Sequence, residues 1–142
     1  MAKLEVRGLA ELTRKIAAMS PEMEKQIQKQ IVTTAGKVRN AAKSRVPVRS
    51  GKLKKAIRVK YEKGKLAASI GPRGKNAWYA HFVEFGTAAH ATGKGSNLKR
   101  QKQHGRIHPG SDAQPFLVPA WEQERPQYIA DMTKLVRDVV KR

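Results

Sequence analysis

The residues able to do chemistry in this chain are its histidines and one carboxylate set among aromatic rings. His104 and His108 stand four apart, with His90 further back. On a helix that spacing would bring two imidazoles to one face for a zinc ion. Here Gly93, Gly95, Gly105 and Gly110 interrupt the segment, and residues 88–111 hold neither a cysteine nor an acid. A metal site is therefore not assigned. His81 lies in the run WYAHFVEFGT, residues 78–87, with no serine or cysteine nucleophile in the motif, and reads as a satisfied core or interface histidine. Glu84 in the same run could act as a general acid, but a buried hydrogen bond or ion pair is the commoner role for an acid among aromatics. A phosphate-binding loop, a GxGxxG turn and a paired-carboxylate motif are all missing, so neither enzyme activity nor a cofactor is expected.

The elements around these residues can be read from hydrophobic period. As a helical turn, residues 78–87 place Trp78, Phe82 and Phe85 on one face, with Gly86 as the left-handed closing residue. As a strand, Tyr79, His81, Val83 and Phe85 would face one way and Trp78, Ala80, Phe82 and Glu84 the other. Both readings send the rings to the interior. The sequel QPFLVPAW, residues 114–121, supplies further rings to the same plug.

Upstream, Leu4 and Val6 alternate with charged residues and predict a strand over 3–7. Leu9, Leu12, Ile16 and Met19 then predict a short helix. Ser20-Pro21-Glu22 is a helix start, with an N-cap serine, a proline at the first position and acid at the positive dipole end. The apolar series Met23, Ile27, Ile31, Ala35, Val38, Ala42 and Val46 keeps helical spacing until Pro47, and the helix is expected to end near Arg45 because Pro47 disfavours helical geometry at Val46. The cations Lys37, Arg39, Lys43 and Arg45 are read as its solvated face.

Ser50-Gly51 marks a turn, and the alternations Ile57, Val59, Tyr61 and Leu66, Ala68, Ile70 predict a hairpin of strands 57–63 and 65–71 about Lys63-Gly64. Residues 88–111 keep no period and read as an extended basic arm. A last helix is expected from Pro119, kinked or restarted at Pro126, with Tyr128, Met132, Leu135 and Val139 as its docking stripe. The fold class is α+β: a small antiparallel β-sheet packed against the long helix and the C-terminal helix, with a long basic loop.

Charge bears on partners. The 142 residues carry 30 Lys and Arg against 11 Asp and Glu, a formal net charge of +19. Such a surface suits phosphate, an acidic protein or an anionic membrane. Length and a 39% hydrophobic content suit one domain, residues 1–142. The absence of cysteine removes disulfides and thiolate metal sites. MAKLEVRGL lacks the apolar core of an export signal, and no run reaches the roughly 18 apolar residues of a membrane span. A soluble chain that is not exported is expected, with no membrane partner.

The succession VRSGKLKKAI, hairpin, WYAHFVEFGT and HPGSDAQPFLVPAW resembles the gene-ten-product family of phage HK97, tail components of long-tailed phages acting at the head–tail junction. The resemblance spans roughly residues 3–140 and is most specific where EFGT is followed by PFLxPA. It places Ser50, Gly51 and Leu53 in the family's first turn and Glu84, Phe85, Gly86 and Thr87 in its central motif, beside Tyr79 and Phe82. Pro115, Phe116, Leu117, Pro119 and Ala120 form the closing motif. The length and basicity of 88–111 depart from relatives, in which this stretch is often shorter.

What the resemblance implies is a non-enzymatic virion protein forming a ring, expected as a hexamer, next to the neck. Its partners would be further copies of itself, the neighbouring neck or connector protein, and the tail terminator or tail-tube proteins. DNA passing through the channel would be touched without sequence preference. Lys94, Lys99, Arg100, Lys102 and Arg106 are the candidate partner or DNA contacts. The rival reading is a small basic nucleic-acid-binding protein or ribonuclease-type toxin, and a metal-dependent nuclease would draw on His90, His104 and His108.

Overall fold

A computed structural model describes residues 18, 20–91 and 107–141. Its longest element, α1 (Pro21–Arg45), begins where the Ser20 hydroxyl accepts the Met23 amide at 3.3 Å, with Pro21 in the first turn, where a missing N–H is harmless. Glu22 and Glu24 sit at its positive end and Lys43 and Arg45 at its negative end. The helix stops because Val46 turns extended ahead of Pro47. Met23, Ile27, Ala35, Val38 and Ala42 form its buried stripe, while Ile31 is half-buried.

Gly51, at φ 71°, reverses the chain into α2 (Lys52–Ala56), which buries Leu53 and Ala56. The hairpin β1 (Ile57–Tyr61) and β2 (Ala68–Pro72) follows, paired Ile57 to Pro72, Val59 to Ile70 and Tyr61 to Ala68. Its turn is longer than the predicted two residues. The Lys65 amide donates to Glu62 O at 3.2 Å and the Glu62 amide to Ala67 O at 3.1 Å, which excludes Leu66 from the ladder. Burial also grades along the face that Ile57, Val59 and Tyr61 share. Ile57 is fully buried, Val59 half-buried and Tyr61 exposed.

A short 3-10 turn (Lys75–Ala77) leads to α3 (Ala80–Phe85), the two-residue strands β3 (His90–Ala91) and β4 (Ile107–His108), and α4 (Leu117–Val140). α4 runs antiparallel along α1: Gln30 Nε2 donates to Asp131 Oδ2 at 2.8 Å, and Arg45 Nη2 donates to Gln123 Oε1 at 2.6 Å further along. The helix starts two residues ahead of the expected Pro119 and continues through Pro126, which neither ends nor restarts it. Pro126 removes only the one amide that would have reached back to Glu122.

Where these elements meet, Val38, Ala42, Val46, Leu53, Ile57, Ala80, Phe116 and Ala120 form the core. Phe116, fully buried, contributes on the order of 2–3 kcal/mol through its ring alone. The mixed fold is thus a long helix, a small antiparallel hairpin and a C-terminal helix. The predicted strand 3–7, the helix ending at Met19 and the cations Lys94, Lys99, Arg100, Lys102 and Arg106 lie outside the described residues.

Candidate assembly surface

Glu84 is the hinge between the two motifs. α3 is helical, and its inward residues are the small Ala80 and the acid Glu84, which is only 5% exposed. The Glu84 carboxylate accepts the Phe116 amide at 2.9 Å and the Leu117 amide at 3.0 Å on Oε2, and the Val118 amide at 2.9 Å on Oε1. A helix leaves its first four amides without internal partners. Here three of them meet one carboxylate, and the fourth position is Pro119, which has no N–H. The negative charge also sits on the positive end of the α4 dipole. That is why Glu84 and Pro119 act together.

The chain on either side of Glu84 is laid against the segment that leads into α4. Gln114 N donates to Val83 O at 2.8 Å, and Thr87 and Ser111 exchange both backbone bonds at 2.9 and 3.1 Å. Gly86 lies at φ 73°, and a Cβ there would come 2.6 Å from Ser111 O and 2.9 Å from Ala113 N. Gly110, at φ 96°, is pressed onto Thr87 and Ala88 in the same way. Both positions exclude any side chain.

The base of the basic arm is therefore not structureless, as its lack of period suggested. Residues 90–91 pair antiparallel with 107–108, and the rings of His90 and His108 stack with centroids 5.1 Å apart. Two-residue strands are too short to show a period, which is why the pattern missed them. His90 Nδ1 is engaged by Ala88 O, and His108 Nδ1 accepts the Gly110 amide, both at 3.0 Å. Among the described residues no group of three metal-ligating side chains assembles, and His104 lies outside them.

The rings of residues 78–87 take the opposite side from the one expected. Trp78 is 73% exposed, Phe85 62% and Phe82 44%, whereas Tyr79 and Val83 are half-buried. The period gave the face correctly and its direction wrongly: Glu84 must point inward to reach the α4 amides, which turns the ring face to solvent. His81, also exposed, packs on Phe85 with centroids 4.9 Å apart, and Trp78 meets Phe82 edge-on at 6.1 Å. Beside this cluster opens a cavity of about 320 Å³ bordered by Leu53, Tyr79, Phe82, Val83, Arg49 and Asp112. Of the first turn, Ser50 is exposed and Leu53 buried. In the closing motif Pro115 is exposed, Leu117 and Pro119 are half-buried, and Phe116 and Ala120 are buried.

The cations are concentrated. Residues 37–75 hold fourteen Lys and Arg against Glu62 alone, and Glu62 is met by Lys65 at 3.4 Å. α4 differs, with four acids, Glu122, Glu124, Asp131 and Asp138, against three cations. Among the described residues no helix is long and apolar enough to cross a membrane.

A family model described as "Bacteriophage HK97-gp10, putative tail-component" matches residues 10–86. Comparison with curated proteins and with solved structures finds no match. The matched span ends at Gly86, so the closing motif lies beyond it and is tied in by the Glu84 bonds. With more than half of its residues matched, the chain belongs to the HK97-gp10-like family and is a structural component of a phage tail.

Proposed function

We propose that the protein forms a closed ring at the end of the tail next to the neck, built of six copies, through which the genome passes. The observation that carries this reading is the exposed ring cluster of α3, held rigidly by the Glu84 cap while the remaining surface is strongly cationic. Monomeric proteins rarely leave such an apolar patch uncovered. In the ring the cationic faces border DNA and its phosphate charge, and the neck or connector protein and the tail terminator or tube proteins lie above and below.

The whole chain acts as one domain and catalyses nothing, working by contact alone. It assembles in the host cytoplasm before joining the virion. Lys94, Lys99, Arg100, Lys102 and Arg106 latch onto an acidic neighbouring subunit, a stronger use for these cations than lining a channel in which DNA must slide. The fourteen cations of residues 37–75 favour a second reading, a small basic nucleic-acid binder that works alone.

Joining heads to tails in vitro tests the proposal. Lysates of phage lacking this protein should contain filled heads and separate tails, and adding the purified protein should restore joined particles. Efficient joining without it would overturn the reading.

A further inference from the structure

Two apolar faces of the described chain reach water, and they differ in charge. The first is the α3 ring cluster. Its approach, residues 71–77, holds Arg73 and Lys75 with no acid, and Arg49 and Asp112 border the adjoining cavity. The second runs along α4 beside the face packed on α1, where Val118 and Ile129 are exposed and Met132 and Val136, half-buried, continue the helical spacing, with Trp121 at the edge nearest Ile31 and Ile70. Val118 is 45% exposed, Trp121 38% and Ile129 49%, and the helix bearing them is net negative in a chain of +19.

We infer that the α3 ring face of one copy docks on the outer α4 stripe of the next copy, with Trp78 and Phe85 as anchors. The contact rests on the ring reading above and assigns its interface. Charge selects this pairing over its symmetric rival. Two α3 faces brought together would set Arg73 and Lys75 of both copies against one another, Arg49 sharing its cavity with Asp112, whereas the α4 stripe balances Glu122, beside Val118, with Arg125, between Trp121 and Ile129. A contact between two different faces repeats from copy to copy, and it closes into a ring when the rotation allows.

Area accounts for why such a ring assembles as a unit. At about 150–250 Å² per aromatic side chain, the exposed fractions of Trp78, Phe82 and Phe85 leave about 400 Å² in water. Val118 and Ile129, with the edge of Trp121, add a smaller apolar area on the facing stripe. With the usual polar rim the contact totals about 1,000 Å², the lower limit for a specific interface. One such contact is weak; a closed ring gives every copy two.

The chain has no cysteine, so thiol cross-linking reads the contact directly. Phe85→Cys/Ile129→Cys, treated with a short bismaleimide at a concentration where the wild type assembles, should give a ladder of covalent multimers ending at the ring. Either single variant should give no more cross-linking than a surface cysteine placed elsewhere. Dimers from Phe85→Cys alone would show the symmetric pairing and overturn the inference, as would wild-type rings with no ladder from the double variant, an outcome that leaves the ring itself standing. Trp78→Ser/Phe85→Ser should keep the wild-type melting temperature and lose assembly. Unimpaired assembly of that variant would overturn the contact. If Val118→Ser/Ile129→Ser melted well below wild type, the stripe would be covered within its own chain, and the inference would fall. A wild type that never assembles would overturn the ring reading and this contact together.

Discussion

Glu84 and Phe116 are 32 residues apart in sequence, yet one carboxylate oxygen sits 2.9 Å from the other's amide. This pair is where α3 begins α4. Glu84→Gln keeps two acceptor bonds at most and turns an NH₂ group toward a remaining amide, at a cost of about 1–3 kcal/mol. Glu84→Ala leaves all three amides without the carboxylate and should cost about 3–5 kcal/mol. Urea titrations should rank wild type above Glu84→Gln and Glu84→Gln above Glu84→Ala. Equal midpoints would show that the cap carries no stability.

Gly86 and Gly64 separate close packing from backbone conformation alone. Both have φ 73°, but a Cβ at Gly64 meets nothing within 4 Å, while at Gly86 it strikes the backbone of residues 111–113. Gly64→Ala should lower stability by on the order of 1 kcal/mol, and Gly86→Ala should leave little folded protein. Circular dichroism melts of the two variants check this, and similar melts would refute the close approach.

The aromatic residues divide in the same way. Phe116→Ala opens a cavity in the core and should cost about 3–5 kcal/mol. Phe85→Ala removes a ring that already faces water and should change stability by less than about 0.5 kcal/mol. A Phe85→Ala melt as low as that of Phe116→Ala would place the ring in the interior after all.

How far the residues foretold this differs from element to element. α1 was readable at its start and closely at its end because Ser20, Pro21 and Pro47 act through local sterics and local hydrogen bonds. The hairpin centre was readable from alternation, but its ends were not, since the Glu62–Lys65 turn has no two-residue signature. The α3 rings were placed on one face and sent the wrong way. Period reports which residues share a face, and only the partner of Glu84, three backbone amides 32 to 34 residues away, decides which face is inside. Backbone amides leave no trace in side-chain identity. PFLVPA held the one clue, a proline where the fourth amide would have stood alone.

DNA binding should depend on assembly. The isolated chain should bind short duplexes weakly and without sequence preference, with an affinity that falls steeply between 50 and 200 mM salt, as counterion release requires. The same assay with Lys94, Lys99, Arg100, Lys102 and Arg106 changed to Gln should be little altered, while ring formation is lost. Tight, sequence-selective binding by monomers would favour the nucleic-acid-binding reading instead.

The central claim is that copies of this chain close into a ring at the end of a tail tube, and imaging purified protein mixed with purified tubes tests it most directly. Electron micrographs should show one closed ring, six copies by mass, at one end of each tube and none along its length. Protein that stays monomeric beside bare tube ends, or that coats added DNA instead, would contradict the account.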